Sequence, residues 1–80
     1  MRIQVRLFAV LRELYGAHEA TLEVPEGCTA QQALHLLFPD DAQQRRIPKL
    51  MYAVNQSFVK ADHGLQAGDE LVFVPPVSGG

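Results

Sequence analysis

The first part of the chain alternates between apolar and polar residues. From Arg2 to Ala9 every second residue is apolar, which is the pattern of a strand with one buried face. The residues expected on that face are Ile3, Val5, Leu7 and Ala9. Leu11 to Tyr15 predicts a helical turn that Gly16 closes, and Ala20 to Val24 alternates again. The two strands lie close enough along the chain to pair as an antiparallel hairpin.

The main helix is predicted to begin after Thr29. Thr29 is a natural N-cap, and Gln32 three residues later completes a capping box that satisfies two backbone donors. The next apolar residues are spaced as one stripe along a helix: Ala30, Ala33, Leu34, Leu37 and Phe38. Pro39 ends the helix because the residue before a proline avoids helical geometry. The polar segment 40–49 is expected to be a connection with one helical turn.

Three further strands are predicted in the second half. Leu50–Asn55 is very apolar and is expected inside the sheet, Ser57–Val59 is a short edge piece, and Glu70–Val74 is the last strand. This order predicts an α+β fold with a mixed sheet of four to five strands packed on one main helix. With the first and last strands side by side at its centre, the arrangement is the ubiquitin-like β-grasp. We expect residues 1–75 to form this domain and residues 76–80 to form an extended diglycine tail.

Composition narrows the class of protein. Eighty residues make one small domain with little room for a deep active site, which favours a carrier or a binding module over a self-sufficient enzyme. The net charge is −2 and the 7 Lys and Arg residues are scattered, so we expect no nucleic-acid partner. The single cysteine, Cys28, fits a reducing compartment. No apolar run approaches the ~20 residues of a membrane span. We therefore expect a cytoplasmic protein.

The cysteine and the three histidines are the candidate reactive and metal-binding side chains. Cys28 precedes a helix N-terminus, which can lower a thiol pKa, but a small apolar residue ahead of the cap is the favoured interpretation. His18, His35 and His63 lack metal-ligand spacing, so no metal site is expected. For His63, in a predicted turn, hydrogen bonding is favoured over catalysis.

An apolar patch is predicted on the side of the sheet that faces away from the helix. Strict alternation directs Phe8, Val72 and Val74 to that side, where no second layer of helices covers them. Exposed apolar patches usually mark partner sites. Alternatively, loops cover these side chains or a bulge changes the register. Phe58 lies in a strand too short to assign to either face.

The sequence ends in Gly79-Gly80, after Pro75-Pro76. Two glycines present a carboxylate on a backbone without side chains, and such a tail can lie extended in a narrow channel. The prolines stiffen the exit from the last strand and project the tail away from the body. A carboxylate offered in this way can be activated by ATP as an acyl-adenylate. A frayed chain end is the alternative.

Short motifs along nearly the whole chain resemble the small subunit of molybdopterin synthase. They are Phe8-Ala9, Arg12-Glu13-Leu14, Gly16, Ala53-Val54-Asn55-Gln56, Asp62-His63, Leu65, Gly68-Asp69-Glu70, Phe73, Pro75-Pro76-Val77 and Gly79-Gly80. Each motif is short, but their order and spacing are specific. Only residues 39–48 carry no motif that resembles this family.

The resemblance implies a sulfur carrier. In this family a ubiquitin-activating-like enzyme adenylates the terminal glycine with ATP, and sulfur from a donor protein replaces one oxygen to give a thiocarboxylate. The tail then enters the large synthase subunit, where sulfur passes to cyclic pyranopterin monophosphate. By match, Gly80 is modified and Gly79 must stay small. The resemblance further implies a heterotetramer with two carriers around a large-subunit dimer, and no cofactor bound by the carrier itself.

The resemblance also assigns a contact surface, because such carriers dock through the outer sheet face. The predicted partner-binding residues are Phe8, Arg12, Phe58, Val72, Val74, Pro75, Pro76, Val77 and Ser78. For Arg12, a solvated turn is the alternative. Three other functions stay open: a sulfur carrier for thiazole formation or tRNA thiolation, a modifier attached to lysines through Gly80, and a non-catalytic interaction module.

Overall fold

The computed structural model describes residues 1–75, so the predicted tail, residues 76–80, lies outside the described residues. In the described part, five strands and three helices follow one another: β1 (Arg2–Arg6), α1 (Ala9–Tyr15), β2 (Glu19–Glu23), α2 (Ala30–Leu37), α3 (Asp41–Arg46), β3 (Met51–Val54), β4 (Ser57–Val59) and β5 (Glu70–Val74). The predicted order of elements is confirmed, and the helical turn expected within residues 40–49 is α3.

The strands form one mixed sheet in the order β2-β1-β5-β3-β4. The first and last strands are neighbours and run parallel, with Val5 opposite Leu71, whereas every other pair is antiparallel. Strand β3 lies inside the sheet, between β5 and the edge strand β4, as its apolar sequence predicted. This order is the β-grasp arrangement expected from the sequence.

The core fills the space between one face of this sheet and α2. Four of the sheet side chains that face the helix are at most 1% exposed: Ile3, Val5, Leu71 and Phe73. Helix α2 meets them with the predicted apolar stripe, and α1 adds Leu11, which is fully buried. The ring of Tyr15 packs edge-on against Phe38, with centroids 6.0 Å apart. The helices therefore cover one face of the sheet, and we call the uncovered side the outer face.

The capping box that begins α2 is present as predicted. The Gln32 backbone N–H donates to Thr29 Oγ1 (3.2 Å), and the Thr29 backbone N–H donates to Gln32 Oε1 (3.0 Å). An N-cap side chain contributes ~1 kcal/mol to helix stability. The helix ends at Leu37, with Phe38 as C-cap, immediately before Pro39. The local sequence thus determines both ends of this helix.

The end of the first strand was predicted wrongly. We expected the strand to continue to Ala9 with that side chain facing the core, but β1 ends at Arg6 and Ala9 is exposed at the start of α1. Ala9 has a φ of 51°, in the left-handed region that non-glycine residues seldom adopt. The chain turns here so that Leu11 enters the core. Alanine carries no sequence signal for such a backbone, so alternation alone could not reveal the turn.

Candidate functional site

The outer face carries a group of apolar side chains on one half of the sheet. We call this group the apolar face; it consists of Phe8, Met51, Ala53, Phe58, Val72 and Val74. Its largest members are well exposed: Phe58 at 67%, Phe8 at 50% and Met51 at 47%. The valines and Ala53 are half-buried between them. Contiguous exposed apolar surface of this kind is typical of a protein-binding site.

Strand register aligns these residues in two rows. Ala53 lies opposite Phe58 on β4 and opposite Val72 on β5, so the three form one row across three strands. Met51 lies opposite Val74 in the next row. Opposed residues of antiparallel strands have Cβ atoms about 5 Å apart, which places their side chains in contact range. The register therefore assigns Phe58 to the outer face, which the sequence pattern had left open.

Phe8 extends the apolar face at the end of β1. Its backbone is extended (φ −132°, ψ 159°), so it continues the alternation of the strand after the buried Leu7. Continuing the parallel register two residues beyond Arg6 and Val72 sets Phe8 level with Val74. The Phe8 carbonyl accepts the backbone N–H of Leu11 (3.2 Å), which anchors the residue to the first turn of α1.

The other half of the outer face, on β1 and β2, is polar. Arg2 Nε lies 3.0 Å from Glu23 Oε1, and Thr21 Oγ1 donates to Gln4 Oε1 at 3.2 Å. At the border with the apolar face, Arg6 Nε lies 3.7 Å from Glu70 Oε2. Cross-strand pairs satisfy these groups within the chain, so the outer face divides into an apolar half and a polar half.

The described residues end beside the apolar face. Strand β5 ends at Val74, next to Met51 and level with Phe8, and the half-buried Pro75 follows. Arg12, which the resemblance also assigns to the contact surface, is exposed on α1. The predicted site residues of the tail lie outside the described residues: Pro76, Val77, Ser78, Gly79 and Gly80.

A hydrogen-bonded network joins the β3–β4 turn to the start of β5. Asn55 Nδ2 donates to Asp69 Oδ1 (2.9 Å), while Asn55 Oδ1 accepts the backbone N–H of Glu70 (3.0 Å). The other oxygen of Asp69 accepts the backbone N–H of Gln66 (2.7 Å). Asp69 is only 9% exposed, and both its oxygens are satisfied. These motif residues therefore have a structural role: they hold the strands that carry the apolar face in register.

Cys28 and His63 have structural roles. Cys28 is 2% exposed within the core, and burial raises its thiol pKa, so the thiolate that a reactive cysteine needs is disfavoured. The backbone carbonyl of His63 accepts the Ala30 N–H at 3.0 Å, and its backbone N–H donates to the Lys60 carbonyl at 3.0 Å. Among residues 1–75 no cluster of three or more His, Cys, Asp or Glu residues could hold a metal ion. None of the helices in that part of the chain has the length and apolar character of a membrane crossing.

The structure brings together four of the predicted partner residues and adds two that the sequence reasoning missed. Phe8, Phe58, Val72 and Val74 share one face, and their binding role stays a prediction. Met51 and Ala53 complete the patch. They alternate with the inward-facing Tyr52 and Val54, so the period of two already present in β3 could have identified them.

Comparison with known proteins finds similarity along almost the whole chain. The ThiS family matches residues 5–80. The molybdopterin synthase sulfur carrier subunit of Escherichia coli is 40% identical over 82 residues, covering 98% of this chain and 99% of that protein.

Solved structures share the fold. The small archaeal modifier protein 1 of H. volcanii is 26% identical, with a TM-score of 0.82 covering 95% of this chain and 98% of that one. A chain from the complex of subunits 1 and 2 of the molybdopterin-converting factor of Helicobacter pylori is 18% identical, with a TM-score of 0.66 covering 100% of both chains. The second likeness concerns the fold alone.

Proposed function

The chain belongs to the ThiS family, and we propose that it is the sulfur carrier subunit of a molybdopterin synthase. The observation that carries this proposal is the similarity to the Escherichia coli subunit of that name along almost the whole of both chains. The apolar face supports the proposal, because it offers exposed apolar surface beside Pro75, the last residue before the tail.

In this proposal the chemistry takes place at the Gly80 carboxylate. A carboxylate oxygen attacks the α-phosphorus of ATP, which releases pyrophosphate and gives an acyl-adenylate. Sulfur at the oxidation level of sulfide then attacks the acyl carbon, AMP leaves, and a thiocarboxylate results. The thiocarboxylate is a better nucleophile than the carboxylate, and its sulfur bonds to a carbon of cyclic pyranopterin monophosphate as an oxygen leaves that carbon. Water then hydrolyses the resulting thioester, which leaves the sulfur on the pterin and restores the Gly80 carboxylate. ATP binds to the activating enzyme and sulfur comes from a donor protein, so the carrier supplies only the tail.

The apolar face docks the carrier on the large synthase subunit. Residues 76–80 span at most about 17 Å when extended, so a tail anchored at Pro75 can reach a pocket beyond the contact surface. A side chain on Gly79 or Gly80 would widen the tail and narrow its range of backbone conformations. Two carriers on a large-subunit dimer would form a heterotetramer. We propose that the adenylating enzyme uses the same face at an earlier step, and that the protein acts in the cytoplasm.

A second candidate is a modifier that is attached to lysines of other proteins. The observation that favours it is the likeness to the small archaeal modifier protein 1. The activation step would be shared, but the adenylated Gly80 would end in an isopeptide bond to a lysine and not as a free thiocarboxylate.

The test is the intact mass of the chain after incubation with the adenylating enzyme of its organism, ATP and a sulfur donor. The expected result is a mass gain equal to the replacement of one oxygen by sulfur, localised to the Gly79-Gly80 peptide. Adding the large subunit and cyclic pyranopterin monophosphate should then restore the original mass as molybdopterin forms.

The matched control carries one extra residue after Gly80. This variant should fold normally and gain no sulfur, because its activated carboxylate would no longer sit on Gly80. Undiminished sulfur transfer by the extended chain would contradict the tail mechanism. Isopeptide conjugates in place of molybdopterin would favour the modifier. No mass change with a demonstrably active enzyme would leave the interaction module as the explanation.

A further inference from the structure

A second concave surface lies on the helix side of the sheet, between α2, α3 and the start of β3. This cleft has a volume of about 330 Å³. Its floor is apolar and includes Leu34, Ile47 and Tyr52, and its polar lining includes Gln31, His35 and Lys49. The Tyr52 ring packs edge-on against Phe73 of the core, with centroids 5.9 Å apart. The cleft therefore opens away from the apolar face.

A cluster of three basic residues lies at this cleft: Lys49 lines it, and Arg45 and Arg46 stand in the chain between its lining residues Gln44 and Ile47. Arg45, Arg46 and Lys49 are all exposed. They hold three of the 7 Lys and Arg residues within five positions, so the basic residues are less evenly scattered than we expected, although the other four are spread along the chain. None of the ion pairs found within residues 1–75 involves any of the three. Arg45 and Arg46 lie in the last turn of α3, where the helix dipole favours cations. That local effect does not account for Lys49, which lies beyond the helix and lines the cleft.

We propose that this cleft binds an acidic segment of a partner protein, with a carboxylate near Lys49 and a neighbouring apolar side chain on the cleft floor. Charge complementarity selects the carboxylate, and the apolar floor selects a peptide over an inorganic anion. The basic residues form only a small cluster in a chain of net charge −2. This overall negative charge disfavours binding to an extended polyanion such as a nucleic acid. Burial raises the pKa of Tyr52, so its hydroxyl remains protonated as a further donor.

The position of the cleft determines which surfaces a bound partner leaves free. Because the cleft and the apolar face lie on opposite sides of the sheet, an acidic segment in the cleft leaves Phe8, Phe58 and the chain exit uncovered. A partner bound in the cleft can therefore stay attached while the apolar face contacts another protein.

The test is a titration of the ¹⁵N-labelled full chain followed by amide chemical shifts. The probe is a synthetic peptide of alternating aspartate and leucine, and the controls are a lysine and leucine peptide of equal length and sodium phosphate. Saturable shifts are expected at residues 31–35 and 44–52 with the acidic peptide, and they should weaken as salt is raised. Arg45→Glu combined with Arg46→Glu should weaken binding about tenfold or more.

Matched variants separate binding from folding. Arg2→Glu, on the polar half of the outer face, should bind the acidic peptide about as well as the parent chain. If the double reversal unfolds the protein, as judged by urea denaturation, Arg45→Gln with Arg46→Gln replaces it and should still weaken binding. No saturable shift, shifts confined to the apolar face, equal binding of the lysine peptide, or equal binding of phosphate would each overturn the proposal.

Discussion

Strand β5 presents neighbouring apolar residues to two different environments. Leu71 and Phe73 point inward and are fully buried beneath the helices, whereas Val72 and Val74 point outward and stay half-exposed on the apolar face. All four are strongly hydrophobic and lie within four positions. The difference arises because the helices cover only one side of the sheet. The inner residues stabilise the fold, while the outer residues leave apolar surface in water, as is typical of a partner-binding site.

The largest expected effect comes from the inner face. Phe73→Ala should lower the free energy of unfolding by about 3–5 kcal/mol, because it removes buried apolar surface and leaves a cavity in the core. The total free energy of unfolding of a domain of this size is only ~4–12 kcal/mol. The matched outer variant Val74→Ala should lose less than about 1 kcal/mol. Urea denaturation measures both, and equal losses would mean that the two faces do not differ energetically.

The next effect belongs to the outer face and concerns binding. Phe58→Asp should weaken affinity for the large synthase subunit about 30-fold or more, since a charge would replace an exposed aromatic anchor. Phe8→Asp should act in the same direction. The free energy of unfolding of either variant should change by no more than about 1 kcal/mol.

Leu36→Asp is the matched control for these binding variants. Leu36 is also large and exposed, at 48%, but it lies on α2, on the far side of the molecule from the apolar face. Isothermal titration should show parent-like affinity for this control. An equal loss with Leu36→Asp, or parent-like affinity for Phe58→Asp, would mean that the apolar face is not the docking surface.

A smaller effect is expected from the network that keeps the outer rows in register. Asn55→Ala should cost about 1–3 kcal/mol, because Asp69 and the Glu70 N–H each lose a hydrogen-bond partner. Asn55 also has a φ of 50°, so Asn55→Gly, which accepts that backbone, should cost less than alanine. Thermal unfolding of the pair separates the two contributions. Identical stabilities would show that backbone strain contributes nothing here.

The smallest effect should come from the polar half of the outer face. Arg6 and Glu70 are both substantially exposed, at 52% and 38%, and exposed ion pairs contribute little. Arg6→Gln should therefore change the free energy of unfolding by less than about 0.5 kcal/mol and the affinity for the large subunit by less than about threefold. A loss as large as that of Phe58→Asp would extend the docking surface onto β1.

Most of the fold follows from patterns confined to a few residues. The Thr29 and Gln32 capping box and Pro39 define the main helix because capping and proline geometry act within one turn. Alternation identifies the strands because side chains on a strand point to opposite faces in turn. The same alternation predicts that Val72 and Phe73 point to opposite faces of the sheet. Four of the six residues of the apolar face were predicted in this way or by resemblance.

The tertiary structure alone decided the rest. The face of Phe58 depends on the register of β4 against β3, which a turn with positive φ at Asn55 and Gln56 establishes. The left-handed backbone at Ala9 depends on Leu11 reaching a core built from distant strands. The cleft lined by Gln44, Ile47 and Lys49 exists because the end of α3 and the segment after it lie near α2 and β3. Local sequence determines which residues alternate or cap. Contacts between residues far apart in sequence determine which of the resulting surfaces are covered.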